Sequence, residues 1–241
     1  MGHRTRLVSR RASAPALASG GEQKLYWRLS DTITACVAHR RVIILDVAND
    51  RYRALPEADE PPFIRWLSAP ASPPPPPCRD SLIALGIDQA RLEDIRAVAC
   101  SIRMPLPLDP DPIPQIRLSA SVLSGVAQCL VPAWHAVRSH RLGRALAKAS
   151  TSMKGAGPPH HFLPSKLAQF QAARPFIPVP RVCLHDCLAL VDWLGPGSGA
   201  ELVLGVSPYP FNAHCWVQAN GRVIDDHPQS PSRFHPILHL E

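Results

Sequence analysis

Apolar residues follow two different periods along this chain, and the change of period divides it. Between residues 25 and 55 they fall in short blocks: Leu25-Tyr-Trp-Arg-Leu, then Thr32 to His39, Arg40 to Val47 and Arg51 to Leu55. The last three predict a three-stranded antiparallel meander, with a tight turn near His39 and a second at Ala48-Asn-Asp. A meander of this size needs helices against one face to be stable. Three apolar clusters predict them: Phe63, Ile64, Trp66 and Leu67; Leu82, Ile83, Leu85 and Ile87; and Leu92, Ile95, Val98 and Ala99. Pro73 to Pro77 reads as an exposed polyproline spacer between the first two. Residues 23–102 thus form one expected domain.

Met104 to Pro114 contains five prolines, so residues 103–116 are expected to be a linker. A helical pattern runs from about Leu118 to Ser150, with Pro132 expected to kink or split it. Its basic face carries Arg138, Arg141, Arg144 and Lys148. Met153 to His161 reads as a loop, whose Pro159-His160-His161 has no visible partners for a metal. Leu163 to Ala173 reads as a short helix. The following segment cannot be helical, because prolines stand at 175, 178 and 180. After it, Leu184, Leu188, Val191 and Leu194 form the stripe of a buried helix that Gly195-Pro196 stops. Glu201 to Val206, Ala213 to Gln218 and Arg222 to Asp225 read as strands. Asn220-Gly221 marks a two-residue hairpin between the last two. Residues 117–241 make a second α+β domain.

Composition narrows the class. With 46% apolar and 19% charged residues, the chain can bury a core. No apolar run approaches the roughly 20 residues of a membrane span, so no membrane association is expected. Residues 1–22 read as a flexible basic tail without the apolar region of a secretory signal. Seven cysteines without a framework then read as reduced thiols of a cytoplasmic protein. A net charge of +7 and a pI near 9.3 hint at an acidic partner. Nucleic acid is not expected, because no basic run is interleaved with aromatic residues.

The chemistry concentrates in the last quarter. Cys183 falls in the first turn of the predicted helix, where free backbone N–H groups and the helix dipole favour a thiolate and can stabilise an oxyanion. His214 on one strand, with Asp225 or Asp226 near the end of the next, supplies a base and a carboxylate to orient it. Two other readings compete. Cys187 and Cys215 suit small buried residues. Cys183, Cys187, His214 and Cys215 together offer a zinc set, but His214 and Cys215 are adjacent on a strand and point to opposite faces. No metal and no cofactor is therefore expected, and there is no phosphate-binding loop.

The same residues resemble a known family. Cys183-Leu184 with Ala189-Leu190, Leu202-Val-Leu-Gly-Val206, Pro210-Phe211, His214-Cys-Trp-Val217 and Gly221-Arg-Val-Ile-Asp-Asp226 resemble the B proteins of lasso-peptide biosynthesis, which are transglutaminase-like cysteine peptidases. The resemblance covers about residues 117 to 241. It implies a papain/transglutaminase-like α+β domain with Cys183 as nucleophile, His214 as base and Asp226 as orienting carboxylate. Cys187 stands where the family usually has serine, and Cys215 where it has a small residue.

The N-terminal unit resembles the winged-helix-like leader-recognition module of peptide-modifying systems, through Val42-Ile-Ile-Leu-Asp-Val and Arg51-Tyr-Arg-Ala-Leu-Pro. That likeness implies a precursor's leader peptide added as a strand beside Arg51, Tyr52, Arg53 and Leu55, against a helix bearing Leu92 and Ile95. The implied function is removal of the leader before a partner synthetase, ATP-dependent and asparagine-synthetase-like, closes a macrolactam ring. A transglutaminase-like acyl transferase uses the same triad, and a non-catalytic precursor-binding scaffold is the reading from another class.

Overall fold

The computed structural model describes residues 22–69, 73–105, 116–155, 163–224 and 230–241. The tail, most of the linker, His160 and His161, and Asp225 and Asp226 lie outside them.

The N-terminal unit is an antiparallel sheet of five strands rather than three. Strands β1 (Gln23–Arg28), β2 (Ile33–Ala38), β3 (Arg41–Asp46), β4 (Arg51–Ala54) and β5 (Val98–Arg103) lie in the order β4-β3-β2-β1-β5. The turn between β2 and β3 places His39 and Arg40 at positive φ, the two-residue geometry that matches strand twist. Helices α1 (Glu60–Ser68), α2 (Pro76–Ala84) and the single-turn α3 (Gln89–Leu92) cover one face.

The expected third helix over Leu92 to Ala99 is corrected here. Its apolar spacing arises where α3 ends, the chain turns under the sheet, and β5 begins. Leu92, Ile95 and Ala97 are buried beneath the sheet with Leu55, Phe63, Trp66 and Leu82. Val98 to Arg103 pairs with β1 along its whole length. β-Branched residues at 98 and 102 suit a strand better than a helix.

The C-terminal unit begins with α4 (Ala120–Arg138), capped by Ser119, whose hydroxyl accepts from the Val122 N–H. Pro132 lies inside α4 and does not split it. It sits on the exposed side of α4, and the chain breaks later, at His140, whose φ is positive. Then come α5 (Leu142–Met153), α6 (Leu163–Ala173) and α7 (Cys183–Leu194). By length and composition α4 is apolar enough to cross a membrane. Here it packs on α7, with Val126 and Leu130 fully buried.

A four-stranded sheet completes the unit: β6 (Ala200–Pro208), β7 (Phe211–Ala219), β8 (Arg222–Val223) and β9 (His235–Leu240), in the order β8-β7-β6-β9. Asn220 and Gly221 at positive φ make the expected hairpin. The edge strand β9 is not legible in the sequence, because Pro236 argues against a strand. Pro236 pairs with Gly205 next to a register shift, the kind of edge position that tolerates proline.

One core runs through both units. The inner face of the first sheet (Cys36, Ala38, Ile43, Leu45) joins α4 to α7 and the α7-facing side of the second sheet (Leu202, Leu204, Val206, Cys215, Val217). A smaller cluster on the far side of the second sheet packs Val203, Trp216 and Phe234 on Ile102 and Met104. There the Trp216 ring fills the space a side chain at Gly205 would need, 2.7 Å from a Cβ built at that position.

Candidate active site

Cys183 is the first residue of α7 and is half-buried. The segment before it is extended, so the helix starts abruptly and leaves backbone N–H groups of its first turn without intrahelical partners. A guanidinium holds that start in place. Arg174, 2% exposed, closes α6 in a short 3-10 turn. Its Nε donates to Asp186 Oδ1 at 2.8 Å, and its Nη2 donates to the carbonyls of Val179 and Pro180 at 3.0 and 3.1 Å. One buried arginine thus ties the proline-rich approach to the first turn of α7. Burial holds the Asp186 carboxyl above its ordinary range even against that guanidinium. His185 is buried beside Asp186, and desolvation lowers its pKa.

The other cysteines have different surroundings. Cys187 is one turn along α7 and 1% exposed, with its Sγ donating to the Cys215 carbonyl at 3.2 Å. Cys215 is likewise buried, so both are core residues as expected. Burial pushes the Cys36 thiol up to about 12 and the Cys129 thiol up to about 11.

His214 stands on β7 opposite Gly205 and is buried. Its ring lies 4.9 Å from that of Phe234 and stacks at 6.1 Å on that of Trp216. The alternation of β7 puts Cys215 and Val217 in the core shared with α7, and His214 with Trp216 on the other face. The four residues of the zinc set are therefore not gathered on one side. Among the described residues no three His, Cys, Asp or Glu side chains converge as metal ligands.

β4 is an edge strand, as leader addition requires, and Arg51 on it is exposed. Tyr52 points to the inner face and its ring lies 5.6 Å from that of Phe211. Burial above all raises the Tyr52 pKa above its ordinary value, and Tyr52 packs against the same core as Cys183. Arg53 points the other way, toward Gly86. Leu55, Leu92 and Ile95 are at most 1% exposed and belong to the core beneath the sheet. They support the strand and offer a peptide no surface.

Two groups the sequence did not reveal also shape this region. Arg174 and Asp186 are twelve residues apart, with no local pattern linking them. The tip of the β6–β7 hairpin, Tyr209 to Phe211, reaches the first sheet, where Arg41 Nη1 donates to the Tyr209 hydroxyl at 3.1 Å.

Residues 127–239 match the profile of the transglutaminase-like superfamily, a stretch that includes Cys183 and His214. No curated protein and no solved structure matches the chain. The molecule is therefore an α+β protein with an N-terminal antiparallel sheet and a transglutaminase-like domain over residues 127–239.

Proposed function

We propose, from the transglutaminase-like domain, that the chain is a cysteine peptidase removing the leader from a ribosomally made lasso-peptide precursor. Cys183 attacks the scissile carbonyl as a thiolate. His214, made the base by its motif rather than by its position on the face of β7 away from α7, is proposed to accept the thiol proton and pass it to the departing amine, with Asp226 orienting the imidazole. Water then hydrolyses the thioester, releasing the leader's new carboxylate and regenerating the thiol. N–H groups at the start of α7 face the developing oxyanion. The observation that carries the reading is the half-buried thiol at the first residue of a helix whose entry is clamped by Arg174.

The leader is proposed to pair with the outer edge of β4, and a separate ATP-dependent synthetase to close the ring on the freed core. The test is mass spectrometry of the precursor after incubation with the protein, with and without the synthetase. Wild type and Cys187→Ser cut between leader and core, whereas Cys183→Ala leaves the precursor intact. Asp226→Asn cuts more slowly by roughly three to four orders of magnitude, as tautomer errors do in related triads. Cleavage by Cys183→Ala, or its loss in Cys187→Ser alone, refutes the assignment.

A further inference from the structure

The β6–β7 hairpin tip reaches the edge of the first sheet. Between the edge of the first sheet and that tip lies a cleft of about 210 Å³, lined by Ile43, Tyr52, Arg53, Ala54, Pro208 and Phe211. Its floor is apolar. Phe211, 52% exposed, stands over it against Tyr52. Arg41 fixes the tip to the sheet: its Nε and Nη2 are held by Glu60 and the Leu55 carbonyl while Nη1 donates to Tyr209. No described residue pairs with the outer edge of β4. The Leu55 N–H donates inward to Val42, so by strand parity the backbone groups of Tyr52 and Ala54 point outward, available to an added strand.

A strand added there alternates like its neighbour. Side chains beside Tyr52 and Ala54 enter the cleft, and those between them face Arg51 and Arg53. Among the described residues neither arginine makes an ion pair. We propose that this cleft binds an extended peptide in which apolar or aromatic residues alternate with acidic ones, and that the peptidase domain supplies part of its wall through Phe211 and Pro208. The proposal rests on the leader-processing reading and adds to it a sequence pattern and a recognition surface outside the N-terminal sheet. Tyr52 lines the cleft and, like Cys183, packs on the core that joins the two sheets.

The test uses full-length Cys183→Ala protein, so that binding is read without turnover. The probe is a fluorescein-labelled peptide, Ser-Glu-Phe-Glu-Leu-Glu-Ser, followed by fluorescence anisotropy at low salt. Phe211→Ala is expected to raise Kd about tenfold, the loss of one aromatic anchor. Replacing the peptide's Phe and Leu by Ser should do the same to the unaltered cleft. Arg53→Glu weakens binding of the acidic peptide and not of its glutamine counterpart. Phe211 is exposed, so its variant keeps the parent's thermal unfolding, which is checked in parallel. Equal Kd values for the parent and Phe211→Ala, indifference to the apolar residues, or no binding at millimolar peptide overturn the proposal. Failure of the wild type to cleave any precursor, with these binding differences intact, overturns the peptidase reading and leaves the cleft standing.

Discussion

At the scale of single residues, the site divides by how its members are fixed. Cys183 is fixed by backbone geometry and by a buried arginine. Arg174 does more than hold the loop: it faces Asp186, an acidic group within one turn of the thiol. An uncompensated carboxylate there disfavours a thiolate, since like charges repel. Arg174→Met is therefore expected to shift the alkylation profile of Cys183 to higher pH and Asp186→Asn to lower pH. A purely structural role for the pair predicts loss of stability in both variants and the same direction of change in both profiles. His214 is fixed differently, by Phe234 and Trp216 on the face of β7 away from α7. Its assignment as base rests on the His-Cys-Trp-Val motif.

At the scale of elements, the turns were the most legible part of the sequence. His39-Arg40 and Asn220-Gly221 both adopt the two-residue geometry their flanking patterns imply, because a turn's chemistry is local. Helix α7 and strands β6 and β7 were equally plain, each having a clean apolar period. What escaped were elements defined by distant partners. β5 looks helical until β1 is beside it, and β9 carries a proline that only its edge position permits. The Arg174 clamp and the hairpin tip were invisible for the same reason.

Buried charge shows the same dependence on distant partners. Asp46 at the end of β3 accepts two hydrogen bonds from Arg91 of α3, at 2.9 and 3.0 Å. Burial pulls its pKa up, but Arg91 and Asn49 outweigh burial and hold it below the ordinary carboxylate range. A carboxylate with a depressed folded pKa contributes stability that is full above the unfolded value near about 4 and fades as pH falls through the folded value. Arg91→Met should then cost roughly 3 kcal/mol at neutral pH, because it strands a buried charge. Urea titrations across pH should show that difference shrinking below about pH 4. A difference independent of pH removes the ion pair as its cause.

At the scale of the whole molecule, the continuous core changes how the two units relate. A proline-rich linker suggests separable domains. Yet Cys36, Ala38, Ile43 and Leu45 of the first sheet are buried in one cluster with α5, α7 and β6. Cutting the chain in the linker uncovers that face. The fragment of residues 23–105 is thus expected to lose its cooperative thermal transition and to bind a hydrophobic dye. A fragment that unfolds cooperatively near the full-length midpoint shows that the first sheet is self-sufficient. This coupling suits the proposed function, in which the edge of β4 and Cys183 must keep a fixed relation.

The claim on which the rest depends is that Cys183 is an activated nucleophile served by His214. The direct measurement is the rate of iodoacetamide alkylation of each cysteine against pH, read by peptide mapping in the wild type and in His214→Gln. Cys183 should react first among the seven thiols near pH 7, with Cys36 and Cys129 held back by their raised pKa values. In His214→Gln its rate at that pH should fall at least about tenfold, while its limiting rate at high pH is kept. Alkylation of another cysteine ahead of Cys183, or a Cys183 profile unchanged by loss of the imidazole, contradicts the account.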